Sequence, residues 1–200
     1  MTDFSAVPQA NAISQAAQLE VLDANGNSVR FGSLFEDTTT IVVFIRHFFC
    51  GSCQDYVVQL ASVQPEVLKA GKKVVVIGCG DWQPIQFYAE TTGFQGPIFA
   101  DPTRKLYVTL GMTIENLQGT PAGEKRRSYL QRGDISNALA SIWRGPLKKP
   151  TLMGKQGNIS QLGGEFIFGP GQQCSFAARM RHTQDHVEIS DLMKAAGLEL

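Results

Sequence analysis

The sequence predicts an α/β domain, a central mixed sheet flanked by helices, with an N-terminal β-hairpin and an insertion before the last hairpin. Three observations carry this. Ile41 to Ile45 and Val74 to Ile77 are unbroken runs of β-branched and aromatic residues, as strands covered on both faces require. Between them Tyr56, Val57, Leu60, Val63 and Val67 recur at three- and four-residue steps, the stripe of an amphipathic helix. Strand, helix, strand in that order implies a right-handed crossover and parallel pairing.

The remaining elements follow in order. Met1 to Ala17 is polar and Ala/Gln-rich and reads as a flexible tail over 1–17, leaving 18–200 as one domain. Leu19 to Leu22 and Ser28 to Phe31 alternate about Asn25-Gly26, which suits a β-turn with positive φ, so they form a hairpin. Ser33 is placed to cap a short turn. The helix after the first buried strand is kinked at Pro65 and stopped by Gly71. Pro84 to Thr92 forms a helix ended by Gly93, Pro97 to Ala100 a short strand, and Thr103 to Leu110 a helix closed by Gly111. From about 112 to 163 Gly, Pro and basic residues dominate around a helix-like stretch, Ile135 to Trp143; this is the insertion. Glu165 to Phe168 and Cys174 to Met180 flank Gly169-Pro170-Gly171 as a second hairpin, and His186 to Ala196 is the last helix.

Composition excludes several function classes. Lys plus Arg and Asp plus Glu both number 18, so the overall charge balance draws the chain to neither nucleic acid nor anionic membrane. No window approaches the roughly 20 apolar residues of a membrane span, and the N-terminus lacks the pattern of a signal peptide. A cytoplasmic protein is expected. Four cysteines in 200 residues are too few for a disulfide-framed secreted scaffold. Neither a metal nor another cofactor is expected, since Cys79 and Cys174 stand alone and His182 and His186 lie far along the chain.

The chemistry concentrates at Cys50-Gly51-Ser52-Cys53, between a buried strand and a helix. A helix N-terminus offers unpaired N–H groups and about half a positive charge, which stabilise a thiolate and lower a Cys pKa from its usual value of about 8.5. Two intervening residues let the sulfurs reach bonding distance, so one thiol can resolve a mixed disulfide or sulfenic acid formed on the other. Arg46 and His47 could add positive charge if they point inward; a solvated strand end and a packed loop residue are the alternatives. Cys79 ends an apolar strand and is expected to pack in the core. Cys174 could be a distant resolving thiol, but core packing is the preferred expectation for it too.

Three segments, Ile41 to Cys53, Phe99 to Tyr107 and Gln161 to Phe168, resemble the peroxiredoxin-like branch of the alkyl hydroperoxide reductase and thiol-specific antioxidant family. The similarity runs from about Leu19 to Leu198. It implies a thioredoxin-like fold and a thiol-dependent oxidoreductase that reduces a hydroperoxide or a lipid endoperoxide through an intramolecular disulfide. The partners it implies are the peroxide, a thiol reductant of the thioredoxin or glutathione kind, and a second copy of the chain. In the peroxiredoxin register Cys53 is the attacker and Cys50 stands in the usual Thr place; in the thioredoxin register Cys50 attacks. The sequence matches both registers, and Cys53 is the slightly preferred attacker. The sequence departs from the pattern in three ways. Arg46 replaces the family Pro, Gly163-Gly164 occupies the stretch of the usual late Arg, and the thioredoxin cis-Pro is missing. Arg144, Arg179 or Arg181 could supply the missing charge, and Trp143, Leu147 and Met153 an apolar pocket. A protein disulfide reductase or redox sensor, and a non-redox binding or biosynthetic protein, are the competing functions.

Overall fold

In the computed structural model, residues 3–130 and 148–199 are described. Seven strands form one mixed sheet: β1 (Glu20–Leu22), β2 (Ser28–Arg30), β3 (Thr40–Phe44), β4 (Lys73–Gly78), β5 (Ile98–Ala100), β6 (Gly164–Gly169) and β7 (Gln173–Arg179), in the spatial order β2-β1-β5-β4-β3-β6-β7. The central trio β3, β4 and β5 is parallel, and the hairpins β1-β2 and β6-β7 add antiparallel flanks. The expected mixed sheet is thus observed, with a predicted hairpin at each edge of the sheet.

Strand alternation sorts the core into two layers. Ile41, Val43, Ile45, Val74, Val76 and Ile167 face helices α2 (Gly51–Lys69), α3 (Ile85–Thr92) and α5 (Ile189–Ala195). Val42, Phe44, Val75, Ile77, Phe166 and Phe168 face α1 (Ala10–Gln18), a 3-10 turn at Phe31–Phe35, and α4 (Lys105–Thr109). On β6 the alternation puts Glu165 on the same face as Ile167, beneath α2, with no solvent exposure.

Several local expectations change. The expected tail over 1–17 is helical from residue 10: α1 buries Ile13, Ala16 and Ala17, an i, i+3, i+4 stripe hidden by the polar composition around it. Arg179 on β7 secures the chain before α1, its N–H donating to Phe4 O at 3.0 Å and its Nη1 to Ala6 O at 2.8 Å. Ser33 caps nothing; it lies inside the 3-10 turn and donates to Arg30 O at 2.7 Å. Helix α2 contains Pro65 and continues to Lys69. Helix α4 starts at Lys105 because Arg104 adopts φ 58 and the Asp101 carboxylate accepts from Leu106 N at 2.9 Å. The expected helix at 135–143 lies outside the described residues.

The limb returning from the insertion is part of the core's lid. Phe48 N donates to Gln156 O at 3.0 Å and Asp81 N to Lys155 O at 2.9 Å, so residues 155–162 lie across the C-terminal ends of β3 and β4. A bridge between Glu115 and Gln161 ties the two limbs together. That end of the sheet is also where β3 delivers the chain to the cysteine pair.

Candidate active site

Cys50 is the N-cap of α2 and Cys53 lies one turn in. Both are free thiols and both are buried, Cys50 at 3% exposure and Cys53 at 0%. Cys50 Sγ accepts from Cys53 N at 3.4 Å, the bond an Asp or Ser would accept at a helix start. It also accepts from Arg46 Nη1 at 3.4 Å and lies 3.2 Å from Ser52 Oγ. Arg46 does point inward, and its Nη2 donates to Ile159 O at 2.5 Å. Among the described residues no carboxylate pairs with Arg46. Its charge is therefore directed at the sulfur in a poorly hydrated space, where an ion pair is stronger than in water.

Burial pushes the Cys50 thiol up, but the hydrogen bond from Cys53, the Arg46 charge, a contribution from His47 and the Ser52 hydroxyl outweigh it and hold Cys50 well below the ordinary thiol value. Burial and the neighbouring Cys50 charge push Cys53 well above that value. Of the two thiols, Cys50 is therefore the one that ionises more readily and Cys53 the one that holds its proton. His47 contributes little charge, because burial lowers its own pKa to about 4. Of the two residues singled out upstream of the pair, Arg46 carries the electrostatics and His47 is a packed loop residue.

Cys53 has a second neighbour that the sequence did not reveal. Its Sγ lies 3.5 Å from Nε2 of His186, and Nδ1 of His186 is hydrogen-bonded to the Glu165 carboxylate. All three side chains are fully buried. The imidazole stacks on Tyr56 at 4.4 Å between centroids, and Tyr129 Oη accepts from His186 N at 3.1 Å. The sequence places His186 at the start of the last helix. Instead α5 begins at Ile189, and residues 181–188 form a non-helical segment held by charge. Asp185 accepts from Arg181 Nε at 2.7 Å and from Arg127 Nη2 at 2.6 Å. His182 and Glu124 join this cluster, whose carboxylates are already paired with guanidinium groups. The one local signal was Glu165 itself, a carboxylate inside the apolar run Glu165-Phe166-Ile167-Phe168.

The other candidates lie elsewhere. Arg179 stacks over the Phe166 ring at 5.2 Å and donates to Leu110 O at 2.7 Å, while Arg181 is committed to Asp185 and Glu124. Arg144, Trp143 and Leu147 lie outside the described residues, and Met153 is exposed. No side chain fits at Gly163, where a Cβ would come within 1.9 Å of Phe44 O. Arg46 thus supplies positive charge beside the pair although the late strand lacks the family Arg. Cys79 is buried and donates to Arg46 O at 2.8 Å, and burial pushes it up to about 12, so it stays a thiol. Cys174 packs against the layer opposite the pair and donates to Phe176 O at 3.1 Å.

A buried dithiol at a helix N-terminus on this mixed sheet defines a thioredoxin-like thiol protein. The description AhpC/TSA antioxidant enzyme matches residues 59–182, a span that begins after the cysteine pair. Peroxiredoxin-like 2C of Mus musculus is 36% identical over 188 residues, covering 92% of this chain and 79% of its own. The chain belongs to the AhpC/TSA family, in its peroxiredoxin-like branch. More distant is prostamide/prostaglandin F synthase of Salmo salar, 23% identical over 86% of this chain and 80% of its own. A solved structure of Xanthomonas campestris bacterioferritin comigratory protein, concerned with alkyl peroxide reduction, has a TM-score of 0.61 at 15% identity and covers 98% of this chain and 94% of that one. It is similar in fold. The family relationship supports a thiol-dependent, peroxidase-like oxidoreductase. Among the described residues no helix is long and apolar enough to cross a membrane.

Proposed function

We propose that this protein reduces a hydroperoxide with Cys50 as attacker and Cys53 as resolving thiol, which reverses the order suggested by the peroxiredoxin register. The observation that carries this order is the Arg46 guanidinium 3.4 Å from Cys50 Sγ, at the N-terminus of α2. The Cys50 thiolate attacks the terminal oxygen of the peroxide, the O–O bond breaks, and the alkoxide leaves as an alcohol after taking a proton. Cys50 is then a sulfenic acid. Cys53 displaces its oxygen as water, forming the Cys50–Cys53 disulfide, and an external dithiol or two monothiols return the pair to its reduced state. The same reading sets the cycle in a reducing compartment such as the cytoplasm, because the disulfide must be reopened at every turn.

Burial argues for a small oxidant. At 3% exposure Cys50 is poorly placed to meet a disulfide on a folded protein, whereas a hydroperoxide group is slim and terminal. A second reading, an endoperoxide as oxidant, is favoured by the similarity to prostamide/prostaglandin F synthase. In that case Cys50 would open the ring O–O bond to a sulfenate ester, and Cys53 would release the second oxygen to leave a diol.

Stopped-flow consumption of hydrogen peroxide and of an alkyl hydroperoxide by the Cys50→Ser and Cys53→Ser proteins tests the order. Cys50→Ser is expected to abolish consumption, and Cys53→Ser to allow one turnover that ends in a trappable sulfenic acid. The opposite pattern would restore Cys53 as attacker. Parental consumption by the double variant would overturn thiol chemistry altogether. Mass analysis of the product formed from an endoperoxide separates the second reading from the first.

A further inference from the structure

We infer that His186, oriented by Glu165, is the acid–base catalyst of the resolving thiol, taking the proton from Cys53 as the disulfide closes and delivering one to it as the disulfide opens. The inference deepens the proposed thiol cycle and rests on Cys50 being the attacker.

The geometry is that of a nucleophile, a base and an orienting acid. With Nδ1 donating to the Glu165 carboxylate, Nε2 is turned toward Cys53 Sγ, 3.5 Å away, as an acceptor. The ring has little freedom to leave this pose. Tyr56 covers one face, the ring of Tyr129 lies edge-on 6.1 Å away, and Tyr129 Oη holds the His186 backbone N–H. The groups that face His186 are thus Cys53 and Tyr56 from α2, Glu165 from β6, and Tyr129 from the loop before residue 130. Arg127 and Glu188 are the further charges that act on Tyr56. A carboxylate buried inside a strand is costly unless it is partnered, and its partners here are His186 Nδ1 and Val187 N at 3.4 Å.

A buried thiol needs such a partner. In the reduced state the Cys53 proton can point to the Cys50 thiolate. Once Cys50 carries an oxygen, that charge is gone and Nε2 of His186 becomes the base in reach. Cys53 Sγ then attacks Cys50 Sγ: the S–S bond forms, the S–O bond breaks, and the Cys53 proton passes to Nε2. The departing hydroxide takes that proton and leaves as water, so His186 ends neutral. In the reductive half, a reductant thiolate bonds to Cys50 Sγ and the S–S bond breaks. Its electron pair stays on Cys53, which accepts a hydrogen bond from Arg46 N at 3.4 Å and is protonated through His186, whose Nε2 takes up the proton that the reductant thiol released on ionising.

The test uses methyl methanethiosulfonate, a small thiolating reagent, with rapid-quench mass spectrometry on the reduced full chain. Cys50 thiolate displaces sulfinate to give an S-methyl mixed disulfide; Cys53 then displaces methanethiol and closes the pair. His186→Asn is expected to leave the first step within about twofold of the parent and to slow the second by about a hundredfold, the lower end for a positioned acid–base group. Its second step should also rise with pH through neutrality by about tenfold per unit, since hydroxide must replace the base. Glu165→Gln keeps the shape of the contact without the charge, and should slow only the second step, by a smaller factor and with the parent's pH profile displaced. Glu165→Gln decides the matter if His186→Asn fails to fold. Closure at the parental rate in the variants, or equal slowing of both steps, would overturn the relay. Two intact steps in a parent that consumes no peroxide would instead overturn the proposed oxidant and leave the relay standing.

Discussion

The Arg46 guanidinium lies 3.4 Å from Cys50 Sγ, and the backbone carbonyl of the same residue accepts the Cys79 thiol at 2.8 Å. One residue thus connects the reactive sulfur to an inert one. The side chain sets the charge at Cys50, and the main chain is held in place by a thiol that never ionises under ordinary conditions.

Replacing that side chain should expose its contribution. Arg46→Met removes the charge but keeps much of the volume, and the midpoint of Cys50 alkylation by iodoacetamide is expected to rise by at least about one pH unit. The alkylation rate near neutral pH then falls about tenfold for each unit by which the midpoint comes to exceed the assay pH. An unchanged midpoint in Arg46→Met would show that the helix terminus and Ser52 suffice.

Cys79 gives the reduced protein an alkaline weakness. Its folded pKa is raised to about 12 from a reference value of 9.0, so the unfolded chain releases this proton first as pH increases. Above pH about 9 the unfolded state binds fewer protons than the native state, and stability falls with pH. Cys53 adds to the same slope. Cys79→Ser retains a donor for Arg46 O, and urea unfolding of the reduced protein should show a shallower loss between pH 9 and 11. Cys79→Ala should instead cost about 1 kcal/mol at pH 7, the value of the lost hydrogen bond.

The charged clasp around Asp185 is expected to hold the His186 segment in place. Asp185→Asn weakens the contacts to Arg127 and Arg181 and should destabilise the protein by roughly 2 kcal/mol, since the carboxylate is nearly buried while its partners are partly hydrated. Burial raises the Asp185 pKa, but the Arg181 and Arg127 hydrogen bonds outweigh it and hold it below the reference value. Its contribution is therefore full above the unfolded value and lost as pH falls through the folded one. Urea titrations at pH 3 and pH 6 should give a smaller difference between the two conditions for Asp185→Asn than for the parent. Hydrogen exchange should quicken first at 181–188.

Gly163→Ala should be among the most damaging single changes. A Cβ there would press on Phe44 O at 1.9 Å, main chain that can move only by opening the pairing of β3 with β6. A loss of at least about 3 kcal/mol is expected from thermal unfolding, at the upper end for overpacking.

Much of this was legible in local pattern. Ile41 to Ile45 and Val74 to Ile77 are central strands because no polar face interrupts them, and Gly93, at φ 69, does close its helix. The stripe Ile13, Ala16, Ala17 was not legible, because Ala is small and its neighbours are polar. The start of the last helix was misplaced by three residues, because Asp185 is bound by two arginines and His186 by a carboxylate from another strand. Helix periodicity cannot register such long-range partners.

The sequence alone determined the class of fold and the position of the dithiol, since both depend on near neighbours: strand alternation, helix stripes, and two cysteines three residues apart at a helix start. Only the tertiary structure decided how the two sulfurs differ. Arg46 is held by Ile159, 113 residues away, and Cys53 meets His186 across 133 residues. The pairing of a cation with one thiol and of an imidazole with the other is a product of chain crossings on the sheet. Local periodicity carries no trace of it.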